Sequence, residues 1–213
     1  MSIKFYYGSG SPFAWNVWLV LEHKRLSYEF HLLSFQSGDL KKPEYLAINP
    51  HGKVPALIDD DFVTWESSTI VEYLDERYPE NPVFPSGARD RAIVRRLSAE
   101  AYNYLQPAIA RVMEQTLFRA DGDSDPAAIV TAVNKLGHEL AYFENALHGE
   151  YFVGGISAAD FTLYPLLALV KRVHEKRPEL GIGTLIQPKL AGFMQKIEHL
   201  PFFAKTMPPH WKG

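Results

Sequence analysis

A chain of 213 residues with 46% apolar and 22% charged side chains is long enough to bury a core of its own, which excludes a disordered protein. Its formal charge of −3 gives no electrostatic case for nucleic acid or an anionic membrane surface as the main partner. There is no cysteine, so disulfides, thiolate metal sites and a thiol nucleophile from the protein itself are excluded.

Ile3 to Tyr7 reads as an aromatic-rich strand closed by Gly8-Ser9-Gly10-Ser11-Pro12, and a helix follows to about Lys24. Phe13 to Leu21 is apolar on every side except Asn16, the mark of a buried helix. Tyr28 to Leu33 reads as a second strand, and strand, crossover helix and strand point to parallel pairing. Ser34 to Pro50 is polar, with a short helix around Pro43 to Ala47. Ala56 to Asp59 and Phe62 to Thr64, joined by Asp60-Asp61, fit a hairpin. Ser67 to Tyr78 is a further helix, with Ile70, Val71 and Leu74 on one face. The order is β-α-β-α-β-β-α.

Pro79, Pro82, Pro85 and Gly87 then mark a linker. The rest reads as helical. One helix is expected over about 88–120, with Ile93, Leu97, Ala101, Tyr104, Leu105, Ala108 and Val112 as its apolar positions. The run Asp121-Gly122-Asp123-Ser124-Asp125-Pro126 breaks it and offers caps for a helix to about Leu147. Ser157 and Asp160 have the spacing of a capping box, with Ile156 and Phe161 as a staple. The helix they open is apolar nearly all round and carries Pro165 inside it, so a kinked central helix is expected. The fold expected is α/β plus all-α, divided into 1–78, a linker at 79–87 and a helical domain at 88–213. MSIKFYY lacks a signal-peptide pattern and no apolar run nears the length of a membrane span, so a cytoplasmic location is expected. The eight histidines show no paired ligand spacing, and no metal is expected.

Three places carry chemistry besides structure. Ser11-Pro12 is first of all a favoured start for a helix. A hydroxyl beside free N–H groups at a helix start also suits an anion, a thiolate included. With no cysteine in the chain, that thiolate belongs to a ligand. Val54-Pro55, just before a strand, is a turn proline or a cis bond that presents the Val54 backbone to a peptide-like ligand. Glu66-Ser67-Ser68 caps a helix, and the same groups match an amino-acid head group carrying both charges. Tyr6 and Tyr7 compete with Ser11 as sulfur partners, but a first strand sends them to opposite faces; Ser9 is the nearer rival.

SPFAWNVWLVLEHKRLSYEF, PEYLAINPHGKVPALIDD, TWESSTIVEYLDERYP and ISAADFTLYPLL resemble, in order and spacing, the glutathione transferase superfamily in its serine-type bacterial branch. The resemblance implies a thioredoxin-like N-terminal domain followed by a C-terminal helical-bundle domain. It implies a cis Val54-Pro55 bond, with Val54 pairing to the cysteinyl part of glutathione and Glu66 and Ser67 taking its γ-glutamyl head. Lys53, with Gln36 or His51, falls near the glycyl carboxylate, and Ser11 falls where such enzymes hold the glutathione sulfur. The electrophile pocket is expected in the helical domain, with Phe13, Tyr104, Arg111 and Trp211 as its candidates.

The function implied is a glutathione S-transferase of detoxification, acting as a homodimer on hydrophobic electrophiles, with glutathione as co-substrate. A glutathione-dependent dehalogenase, isomerase or peroxidase uses the same thiolate, and a non-enzymatic glutathione-binding protein shares the fold. Ser11-Pro12-Phe13 stands where the isomerase branch has Ser-Ser-Cys, and Asn16 and Trp18 stand where many relatives are basic.

Overall fold

The structure, a computed structural model, describes residues 2–118 and 125–211. Its contacts divide it into a first unit, up to Pro85 together with the segment from Leu200 onward, and a second unit, Ser86–His199. The reading of everything after 88 as one helical domain differs there, since the segment from Leu200 groups with the sheet.

In the first unit the elements are β1 (Ile3–Gly8), α1 (Pro12–His23), β2 (Tyr28–Leu33), α2 (Pro43–Leu46), β3 (Ala56–Asp59), β4 (Phe62–Trp65), α3 (Ser67–Arg77) and the late α9 (Phe203–Thr206). The sheet order is β2-β1-β3-β4. β1 pairs in parallel with β2 and antiparallel with β3, which pairs antiparallel with β4. The order and sheet expected for the thioredoxin-like domain are present.

α1 buries Ala14 to Leu21 without a break, Asn16 included, as a run apolar on nearly every side demands. Trp18 packs against Phe30 with tilted rings at 4.7 Å and meets Tyr7 edge-on at 5.0 Å. Its indole N–H donates to the Tyr28 hydroxyl at 2.6 Å, and that hydroxyl donates to Glu22. Trp18 is thus part of the core. Lys24 closes this side of the unit: its fully buried ammonium lies 3.0 Å from Asp75 and donates to the carbonyls of Glu80 and Asn81. Asp75 also accepts the Val83 N–H at 2.7 Å.

The second unit holds α4 (Ala88–Glu100), α5 (Gln106–Thr116), α6 (Pro126–Ala146), α7 (Ala158–Lys176) and α8 (Pro188–Glu198). The single helix expected over 88–120 is interrupted by a π-helical turn at Ala101–Leu105. Pro107, which has no N–H to donate, stands in the first turn of α5 and removes one α-helical bond there. The buried face keeps Leu97, Ala101, Leu105, Ala108 and Val112 of the expected positions and differs at two of them. It runs through Val94, Leu97, Ala101, Leu105, Ala108, Ile109 and Val112, while Ile93 and Tyr104 are exposed. The break at Asp121 to Ser124 lies outside the described residues; Asp125 caps α6, accepting the Ala127 N–H at 3.0 Å. α7 is buried from Ala158 through Ala168, Pro165 included. The expected capping box is present at its start. Among the described residues no helix is long and apolar enough to cross a membrane.

Candidate active site

The strand registers bring four connections to one edge of the sheet. Gly8 at the end of β1 lies beside Leu33 at the end of β2, Tyr6 beside Ala56, and Ala56 beside Trp65. The segments just past these positions are Ser9–Ser11, Ser34–Gln36, Lys53–Pro55 and Glu66–Ser67. The carboxyl ends of parallel strands and the helix starts that follow them are where such folds bind ligands.

Ser11 is the N-cap of α1, with Pro12 in its first turn. Its hydroxyl oxygen accepts the Ala14 N–H at 3.3 Å, and its own N–H donates to Gly8 at 3.0 Å. The residue is nearly buried, at 9% exposure. With the oxygen's lone pair turned to the helix, the hydroxyl proton is the part left to donate outward.

The Val54-Pro55 bond is cis, the isomer implied by the resemblance. Val54 lies just outside the β3 registers, so its N–H and C=O are not spent on the ladder. Two residues not singled out in the sequence hold this loop. Tyr45, buried on α2, donates its hydroxyl to the Lys53 carbonyl at 2.5 Å, and the Asn49 side chain donates to the same oxygen at 2.7 Å. Asn49 also accepts the His51 N–H at 3.1 Å. An asparagine just before a proline is a turn position where a side-chain amide does backbone duty, but nothing in the sequence names the Lys53 carbonyl as its partner. The Lys53 and His51 side chains are exposed beside this loop, and Gln36 is exposed on the connection after β2.

Glu66 occupies the cap position of α3 with φ of 67°, a conformation that a side chain rarely adopts. Its carboxylate is exposed, while Ser67, the first residue of the helix, is buried. Among the rival hydroxyls, Tyr7 is fully buried and desolvation pushes its phenol far above the usual range. Tyr6 faces the other way, stacked on His31 at 4.6 Å, and burial followed by the Glu29 charge raises its phenol too. Neither is poised to ionise near neutral pH.

Of the electrophile candidates, Phe13 is half-buried in the first turn of α1. Trp211 meets Trp15 edge-on at 5.3 Å. In the second unit, Tyr104 is exposed on the π-helical turn, and Arg111 pairs with Glu114 at 2.7 Å along its own helix. Among the described residues no three His, Asp or Glu side chains gather as a metal site.

A thioredoxin-like unit with a cis proline beside a capped helix start, followed by a helical unit, defines a class of glutathione-using proteins. Residues 5–82 match the family model described as glutathione S-transferase, N-terminal domain, and residues 100–201 match glutathione S-transferase, C-terminal domain. The chain is 30% identical over 211 residues to glutathione S-transferase Z2 of Arabidopsis thaliana, covering 97% of this chain and 91% of the relative. It is 37% identical over 204 residues to maleylacetoacetate isomerase of Dictyostelium discoideum, covering 93% and 90%. The crystal structure of a glutathione S-transferase from the Antarctic clam Laternula elliptica superposes with a TM-score of 0.85 at 30% identity, over 100% of this chain and 94% of that one. The chain belongs to the glutathione transferase superfamily.

Proposed function

We propose that this enzyme binds glutathione at the sheet edge described above and activates its sulfur as a thiolate through the Ser11 hydroxyl, for attack on an apolar electrophile. The observation that carries the reading is the bonding of Ser11: its oxygen takes a helix N–H, leaving its proton for an anion. A free thiol with pKa near ~8.5 is mostly protonated at neutral pH, and lowering it by about two units takes roughly 2.7 kcal/mol. A hydrogen bond to a charged group, about 1.5–3 kcal/mol, plus a helix-end contribution of about 0.3–1 kcal/mol supplies that. No protein group has to take a proton during attack. Val54 pairs with the cysteinyl backbone, Glu66 and Ser67 take the γ-glutamyl head, and Lys53 is the cation nearest in sequence for the glycyl carboxylate, with Gln36 and His51 beside it.

The test is Ser11→Ala. It is expected to raise the kinetic pKa of the bound thiol by about one to two units, within the energies above, while glutathione affinity stays within a few fold. An unchanged pH–rate profile removes Ser11 from the mechanism.

A second reading, glutathione-dependent isomerisation, is favoured by the 37% identity to maleylacetoacetate isomerase. Turnover of maleylacetoacetate outrunning conjugation of aryl and alkyl halides would establish it. A detoxifying role in the cytoplasm and a homodimer are part of this proposal and rest on the family likeness alone; light scattering on the purified protein tests the dimer.

A further inference from the structure

The last described residues reach the loop that precedes Ser11. The Ser9 hydroxyl lies 2.5 Å from Nδ1 of His210, and the Trp211 indole N–H donates to Nε2 of the same ring at 2.9 Å. An indole nitrogen only donates, so Nε2 of His210 presents its lone pair. A neutral imidazole then carries its hydrogen on Nδ1 and donates to the Ser9 oxygen. The Ser9 proton is thereby turned away from the histidine. Gly10, beneath the ring, has φ of 85°, and a Cβ there would come within 2.8 Å of His210 Cε1. The contact thus needs a residue without a side chain.

Beside Ser9 opens a cleft of about 400 Å³ whose walls include Leu32, Leu33, Phe35, Pro209 and His210. Most of its exposed surface is apolar, and its polar residues are Ser9, Ser34, His210 and Gln36, the last at the border with the glutathione reading. It sits at the same edge of the sheet as Ser11, because Leu33 pairs with Gly8. Phe35 leans over Gly8 next to Val54: a Cβ on Gly8 would lie 2.6 Å from the Phe35 ring and 2.9 Å from the Val54 side chain.

We infer that this cleft takes electrophiles with a conjugated carbonyl and that Ser9, held by His210, donates a hydrogen bond to their oxygen. The inference rests on the glutathione reading above. The thiolate sulfur forms a bond to the β-carbon, the C=C pair shifts toward the carbonyl, and the electron pair arriving on oxygen makes an enolate. Ser9 holds that oxygen while a proton from water is added to the α-carbon, which restores the carbonyl. Hydrogen bonds aimed at a developing oxyanion act on the transition state more than on the bound substrate. His210 is a positioning residue, since it acts through the Ser9 oxygen.

The test compares two electrophiles on the full chain with glutathione: trans-4-phenyl-3-buten-2-one, which passes through an enolate, and benzyl chloride, which does not. Ser9→Ala is expected to lower kcat/KM for the ketone on the order of 10- to 100-fold, and for benzyl chloride by no more than about twofold. His210→Phe should reproduce the selective loss, and His210→Gln, whose amide can again donate to Ser9, should restore most of it. No loss with the ketone overturns the inference and leaves the thiolate reading intact, whereas equal losses with both electrophiles overturn it and make Ser9, not Ser11, the partner of the sulfur. No turnover of either electrophile by the unaltered protein overturns both.

Discussion

At Glu66 the backbone sits at φ 67° and ψ 117°, where a side chain costs about 1–3 kcal/mol of strain. That strain has a use if the exposed carboxylate must face a ligand at the start of α3. Glu66→Gly and Glu66→Ala both remove the carboxylate, but only glycine relaxes the backbone. The glycine variant is expected to be more stable than the alanine variant by about 1 kcal/mol in urea unfolding. Calorimetric titration should show glutathione binding weakened alike in both. The sequence marked Glu66 through its place before two serines and a helix, yet nothing in it revealed the strain. An exposed glutamate has no local signature for a left-handed backbone. Ser11 was legible as a cap, because Ser-Pro before an apolar run favours a helix start. Tyr45 and Asn49 were missed as supports of the Lys53 carbonyl, since a tertiary contact to a backbone oxygen leaves no pattern in the chain.

Among the elements, α1 and α7 were the most legible, since a helix buried nearly all round shows as a dense apolar run behind a capped start. The face of α4 and α5 was legible at Leu97, Ala101, Leu105, Ala108 and Val112 but not at Ile93 and Tyr104, and the π-helical turn between the two helices had only Pro107 to hint at it. The start of α7 makes a prediction of its own. Asp160, fully buried, accepts the N–H groups of Phe152 at 3.0 Å and Ser157 at 2.8 Å. Burial outweighs these bonds and pushes its carboxyl up from 3.8 to about 6. The folded chain therefore binds this proton more tightly than the unfolded chain, so this group's contribution to stability is full below the unfolded value and is lost as pH rises through about 6. Asp39 and Glu179 lie below their ordinary values, each chiefly through a hydrogen-bonded cation, and slope the other way. The difference between the unaltered protein and Asp160→Asn isolates the effect. Urea titrations across pH 4 to 6, the interval set by this shift, should show the downward slope with pH reduced in the variant. The variant should also be less stable overall, because its amide NH₂ meets donors where a carboxylate oxygen accepted them.

For the molecule as a whole, the departure from the first unit is held by charge as well as by apolar packing. Lys24 grips Asp75 and the carbonyls of Glu80 and Asn81, and Asp75 grips Val83. Lys24→Met is expected to cost about 3–5 kcal/mol in denaturant unfolding, since it leaves a buried carboxylate without its cation. A loss below about 1 kcal/mol, the range of exposed pairs, would show that water reaches Asp75. The proline-rich linker was plain in composition, but this buried pair was not, because a lysine after a helix reads as surface. The grouping of the segment from Leu200 with the sheet was equally hidden. α9 is four residues long, too short for any periodicity, and its partner Trp15 lies 191 positions earlier.

That return of the chain constrains how relatives can be recombined. A chimera cut once at the proline-rich junction would pair the Ser9 loop of one parent with the carboxyl-terminal segment of the other. The ring over Gly10 and the wall of the neighbouring cleft would then be inherited from a foreign sequence. Exchanging helical units cleanly needs a second crossover near Leu200, so that the ending travels with its own first strand.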